Sequence, residues 1–204
     1  MTLLDILARG GWIVWLILLL SLIALAVAAE RWIVFHRVQR GLEEYLRQIK
    51  NALRTQDHEA ARALSRRTEI PLARVVLAVL DHRHLPLADL KAYATDQLHL
   101  EAHALERNLL ALATVAGLAP LLGFLGTVTG MIRAFMAVQR QGGSVDATVL
   151  AGGIWEALVT TAVGLSVGIV AYLLYNYLLG RAQDLVVNLE RHTLDLLDLL
   201  KSER

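Results

Sequence analysis

Hydroxyl side chains stand inside long apolar stretches that carry no charge, among them Thr127 and Thr129 in one, and Thr160, Thr161 and Ser166 in another. A hydroxyl donates one hydrogen bond and accepts two, so it can orient water or bond to a carboxyl group, yet it does not titrate near neutral pH. A proton path through a bilayer generally uses ionisable side chains within the spans. Residues 10–29, 108–132 and 157–180 contain no Asp, Glu, Lys, Arg or His. If this chain moves protons, the group that binds and releases them belongs to another chain. A structural reading of the same threonines stands beside the functional one, because Thr often bonds to the carbonyl three or four residues back. Glu156 sits at the mouth of the third stretch. It is either an interfacial residue complementing a helix N-terminus or a charge lining a water-filled entrance.

Other constellations carry less. His99 and His103 share a helical face, but a zinc-protease helix needs Glu directly after the first His, and here Glu101 is two residues on. No third ligand stands near. They read as a solvated face, as do His82 and His84. The chain has no phosphate-binding loop, dinucleotide fingerprint or nucleophile elbow, so no catalytic residue, cofactor or metal site is assigned and an enzyme is not expected. There are no cysteines, which excludes disulfides and thiolate metal sites.

The elements that must position these residues follow from composition. Hydrophobic residues make up 56% of the 204, against roughly 45–50% in soluble domains, which points to a membrane protein. The three charge-free windows each reach the roughly 20 residues that a bilayer core requires. The first has the flavour of a signal peptide, with a small-residue site at Ala26-Val27-Ala28. Its apolar run exceeds the roughly 7–15 residues of such a leader, so a retained helix is expected. Of the 20 Lys and Arg, all but Arg9, Arg133 and Arg140 fall in residues 31–107 or after 180. The positive-inside rule then puts the N-terminus outside and the C-terminus in the cytoplasm. Net charge is only +1, so no global field selects nucleic acid.

The expected organisation is an all-α integral membrane protein. Residues 1–9 form an outer N-terminus and 10–29 the first span. Residues 30–107 form a cytoplasmic helical region, with helices beginning near Asp57, Pro71 and Pro86. Residues 108–138 form the second span, 139–155 an outer loop, 156–180 the third span and 181–204 an amphipathic cytoplasmic helix. Leu87 onward is expected to run straight into the second span as one helix. That span ends at Ile132, or slides outward toward 118–138 if Arg133 snorkels to the interface.

Small residues on one stripe of a membrane helix let backbones approach closely. Residues three, four and seven apart share a face. Pro120, Gly123, Thr127, Gly130 and Ala134 therefore line up in the second span, with Gly126 beside them. Thr161, Gly164, Gly168, Tyr172 and Tyr175 line up in the third. Taken by themselves these stripes equally suit a non-conducting scaffold that uses them only for packing.

At these residues the sequence resembles the MotA/TolQ/ExbB proton-channel family, most closely its ExbB and TolQ branch. The resemblance rests on Pro120 followed by LLGFLGTVTGM, and on Gly153-Ile154 followed, after Trp155, by EALVTTAVGL and ending at Tyr175-Asn176. It implies a stator subunit in a bacterial inner membrane, ring-shaped and homo-oligomeric, a pentamer by the family pattern. It implies a single-span partner resembling ExbD or TolR whose Asp takes up the proton, and a TonB-like or TolA-like protein that receives the work. The family's pore threonines fall on Thr127 and Thr161 and its acidic residue on Glu156. Family members commonly carry Pro in the third span where this chain has Val170, which blurs the choice among the ExbB, TolQ and gliding-motor branches.

Overall fold

A computed structural model describes residues 11–140 and 147–201. Six helices follow one another: α1 Gly11–Arg54, α2 His58–Arg67, α3 Pro71–Asp81, α4 Leu87–Glu106, α5 Leu109–Arg140 and α6 Ala147–Lys201. No strand occurs among the described residues. Helices α1, α5 and α6 each contain a stretch long and apolar enough to cross a membrane.

The chain divides into two compact units. One comprises Met1–Ala29 and Leu109–Tyr177, the other Glu30–Asn108 and Leu178–Arg204. The first is the apolar unit. Its outward side chains are themselves large and apolar: Trp12, Trp15, Leu22, Leu121, Phe124, Phe135, Leu158 and Ile169 are each more than half exposed. Surfaces of that kind are rare on water-soluble monomers and belong against lipid or protein.

The second unit buries a conventional core. Tyr45, Ile49 and Leu53 of α1, Leu72, Val76 and Leu80 of α3, and Leu185 and Leu189 of α6 are all buried. Val79, Leu90, Ala94 and Leu197 form one cluster with Leu200 against it. Its short helices begin and end where local chemistry dictates. Gln56 adopts φ 55°, and the amides of Gln56 and Asp57 bond back to Leu53 O and Ala52 O, closing α1 as left-handed C-caps do. The Asp57 carboxylate then accepts from the Ala60 amide at 2.9 Å and opens α2. Pro71 opens α3, where its missing N–H costs nothing. Pro86 immediately precedes α4. Arg62 ties α2 to the end of α3, reaching Leu80 O at 3.0 Å and Asp81 at 3.2 Å. Arg74 of α3 grips Glu101 of α4, with Nε on Oε1 at 2.6 Å. That bond, opposed in part by burial, holds the Arg74 guanidinium above its usual pKa.

Two expectations about helix boundaries are corrected. Helix α4 does not run unbroken into α5: Arg107 and Asn108 separate them. Side chains of α1 reach the chain at this break. Arg31 donates to Leu105 O at 3.3 Å, the carbonyl that a continuous helix would offer to residue 109, and the Asn108 amide is held by Glu30 at 3.2 Å. Of the residues placed in an outer loop at 139–155, 139–140 belong to α5 and 147–155 to α6. Gly142-Gly143-Ser144, the other sign of that loop, lies outside the described residues, as do residues 1–9. The stretch expected as the third span and the amphipathic stretch after it lie on one helix, unbroken through Val170 and Gly180.

Candidate functional site

The packing of α5 against α6 is a backbone-to-backbone seam. A Cβ on Gly164 would lie 2.6 Å from Ala119 O and 2.8 Å from Gly123 Cα, and one on Gly153 would lie 2.6 Å from Ala134 Cβ. One on Gly130 would touch Ala157 at 3.0 Å, and one on Gly126 would run into Thr160. Gly168 makes room for the Pro120 ring: a Cβ there would be 2.5 Å from Pro120 Cγ. The same point is 3.2 Å from Ala116 O, the carbonyl left without its helical donor by proline. Gly126 and Gly130 on α5, and Gly164 and Gly168 on α6, are each spaced by four, the small-xxx-small pattern of close helix pairs.

The buried face is narrower than the stripes read from the sequence. On α5 it runs through Ala119, Gly123, Gly126, Gly130 and Ala134. Thr127 lies about 60° of helix from the middle of that line and is only half-buried. On α6 the face runs through Ala157, Thr160, Gly164, Gly168 and Ala171, whereas Tyr172 is 59% exposed and Thr161 and Tyr175 sit at the margin. Thr160, 1% exposed, is the threonine in the seam.

The hydroxyls divide by where their protons go. Thr161 Oγ1 donates across the seam to Gly123 O at 2.9 Å, which makes it the hydroxyl joining α6 to α5. Thr127 Oγ1 donates within its own helix to Phe124 O at 2.6 Å. Thr129, Thr160 and Ser166 likewise donate to carbonyls of their own helices. Gly123 is one turn before Thr127, so the two candidate pore threonines are neighbours across the seam, though their hydroxyls do not bond to each other. With the proton of each committed to a carbonyl, what Thr127 and Thr161 offer to water or a carboxyl group is acceptor lone pairs.

Glu156 stands apart from them. Its carboxylate pairs with Arg133 of α5, Nη2 to Oε1 at 2.7 Å. The contact is one of charge alone: its alignment falls short of a hydrogen bond, and Oε1 is shielded from solvent with no hydrogen-bond partner. Arg133 is steadied on its own helix by a long contact to Thr129 O at 3.4 Å. Gly11 of α1, at φ +71°, packs so near the carboxylate that an added Cβ would overlap it. Three helices thus meet at this one acid. Sequence reasoning named Arg133, Gly153 and Thr160 but not the contacts they make here: the pairing of Arg133 with Glu156, and the places of Gly153 and Thr160 in the seam. Gly153 was legible as a small residue four from Ala157, but it lay in a stretch rich in glycine that reads as a loop.

Comparison with known proteins completes the account. The model of the MotA/TolQ/ExbB proton channel family matches residues 29–191. The ExbB-like 1 biopolymer transport protein of Synechocystis is 37% identical over 187 residues, covering 87% of this chain and 71% of that protein. The biopolymer transport protein ExbB of Neisseria meningitidis serogroup A is 30% identical over 178 residues, covering 80% and 79%. The Tol-Pal system protein TolQ of Haemophilus influenzae is 45% identical over a shorter 80 residues, covering 38% and 34%. With three helices able to span a bilayer and a family match across most of its length, this chain is a multi-pass membrane protein and belongs to the MotA/TolQ/ExbB proton channel family.

Proposed function

We propose that the chain is the ring-forming stator subunit of a proton-driven motor in a bacterial inner membrane, with its N-terminus outside and its C-terminus in the cytoplasm. Several copies, five by family resemblance, surround the transmembrane helices of a single-span protein like ExbD or TolR. An Asp of that partner carries the proton, and the work passes to a TonB-like or TolA-like protein, as in import through the outer envelope. Thr127 and Thr161 line the conduit, and Glu156 stands at its mouth.

The observation that supports this best is the disposition of the two hydroxyls. Thr127 and Thr161 lie one turn apart at the edge of a rigid helix pair, in stretches without an acid or base, each with its oxygen free to accept. Such a pair can receive a hydrogen bond from a protonated carboxyl group but cannot itself carry the proton. A conduit built this way depends on an acid from outside the chain.

The test is reconstitution with a candidate single-span partner in vesicles, with proton flux read by an entrapped pH dye and assembly by intact mass. Wild type is expected to conduct only with the partner. Thr127→Val and Thr161→Val keep shape and remove the hydroxyl, and each is expected to lower flux at least tenfold with assembly intact. Full flux in both variants would sink the assignment. A non-conducting scaffold is the second reading, and one observation favours it: the small residues of α5 are consumed by packing against α6 within one chain. Partner-dependent flux, or its absence, separates the two.

A further inference from the structure

The first turns of α1 beyond its charge-free stretch carry a cationic groove that conduction does not use. Trp32, His36, Arg37 and Arg40, with Ile33 and Gly41, line an open hollow of about 680 Å³, within the roughly 300–1,000 Å³ common for small-molecule sites. The Trp32 and His36 rings stack, with centroids 5.8 Å apart and planes 16° from parallel, and give one side of the groove a flat shelf.

Arg37 and Arg40 are exposed, and neither has an ion-pair partner among the described residues. Arg31, Arg47, Arg62 and Arg74 all do. The nearby carboxylates are engaged elsewhere: Glu30 by Arg31 and Asn108, Glu44 by Arg47 and Gln48. Glu43, three residues on from Arg40, makes no ion pair with it. Two exposed guanidinium groups three residues apart on one groove, without an anion, make an electrostatically incomplete site, and their planar forks match carboxylate or phosphate oxygens.

The aromatic shelf says which phosphate. Trp is enriched at the level of lipid headgroups, where its ring faces apolar chains on one side and water on the other. Arginine stems lie along apolar surface while their heads reach the polar layer. We propose that this groove binds the phosphate of an anionic phospholipid, with Arg37 and Arg40 on the phosphate oxygens and the Trp32–His36 shelf against the glycerol and upper acyl carbons. The proposal requires only that the chain is a membrane protein. It stands or falls independently of the roles given to Thr127 and Thr161.

The intact assembly is purified in detergent and titrated with phosphatidylglycerol or phosphatidylcholine, and bound lipid is counted by native mass spectrometry. Wild type is expected to retain phosphatidylglycerol selectively. The Arg37→Gln/Arg40→Gln variant should bind it roughly 25-fold more weakly, about fivefold per arginine. Arg37→Lys/Arg40→Lys, which keeps the charge, should retain most of the affinity. Arg66→Gln/Arg67→Gln, an equal loss of charge on α2, should behave as wild type. Equal retention of the two lipids by wild type overturns the proposal, as does an equal loss in the α2 control. Soluble glycerol phosphate bound without lipid, with the same arginine dependence, shows a site for free phosphate and also overturns it. Should the glutamine variant fail to assemble, the lysine variant and the comparison of lipids in wild type decide alone.

Discussion

Replacing Gly164 by alanine places a methyl carbon where α5 leaves no space. It would lie 2.6 Å from Ala119 O, 2.8 Å from Gly123 Cα and 3.0 Å from Gly123 N, all backbone atoms that no rotamer change can move. Bringing the nearest to an ordinary 3.4 Å contact requires α5 and α6 to part by roughly 0.8 Å. That displacement stretches the Thr161–Gly123 hydrogen bond from 2.9 Å to about 3.7 Å, beyond bonding range. Overpacking of this kind costs about 1–3 kcal/mol, and a lost hydrogen bond between membrane helices adds about 0.6 kcal/mol. The better helix propensity of alanine returns at most about 1 kcal/mol. Gly117→Ala and Gly180→Ala are the controls, since nothing lies within 4 Å of a Cβ at either. Gly164→Ala should therefore be less stable than either control by about 2–3 kcal/mol, a difference from which propensity cancels. The assay is unfolding in mixed detergent micelles, followed by far-ultraviolet circular dichroism. A Gly164→Ala protein within about 0.5 kcal/mol of the controls would show that the seam is looser than its geometry.

The same assay separates the threonines. Thr161→Val should lose about 0.6–1.5 kcal/mol because its bond crosses the seam, while Thr127→Val should stay within about 0.5 kcal/mol because its bond is local. In the second unit, Tyr45 and Ser65 bond at 2.7 Å. Ser65 already donates to Ala61 O, so the phenol is the donor, and Tyr45→Phe should cost about 0.5–1.5 kcal/mol in unfolding free energy. Burial pushes the Tyr45 phenol above its usual pKa. A raised folded value means that stability is complete below the unfolded value near pH 10 and declines as pH rises beyond it. Unfolding titrations from pH 9 to 11 should show this alkaline loss in wild type and a smaller one in Tyr45→Phe.

Much of the architecture was legible because its signals are one-dimensional. Charge-free runs of 20 or more residues mark spans, and Asp57, Pro71 and Pro86 punctuate helices through side-chain and ring chemistry that acts within a turn. What failed was whatever depended on a neighbour distant in sequence. At the α4–α5 break Leu105 O accepts from Arg31, 74 residues away in sequence. Gly153 reads as a loop residue until Ala134 is seen against it. The stripe read on α5 shares Gly123, Gly130 and Ala134 with the buried face, which takes Gly126 in place of Thr127. Spacings of three, four and seven tolerate a drift of one residue, and only the partner helix distinguishes Gly126 from Thr127, or Thr160 from Thr161. Glu156 was singled out by its position in the sequence, but its ion-pair partner Arg133 was read only as a snorkelling cation.

The one-residue drift carries a consequence for mechanism. A threonine within the seam, such as Thr160, is buried by the opposite helix and can serve packing alone. Thr127 and Thr161 sit at the margin, where a hydroxyl is anchored by its carbonyl and still presents its oxygen outward. Anchoring fixes the direction of the offer: the oxygen accepts, and it can donate only by breaking the bond that holds it. Under the proposed function, such a pair stabilises a visiting carboxylic acid over its carboxylate, because only the acid has a proton to give. The helix pair thereby favours the loaded state of the carrier at this depth, and release must occur where a cation or water, rather than these threonines, meets the same group.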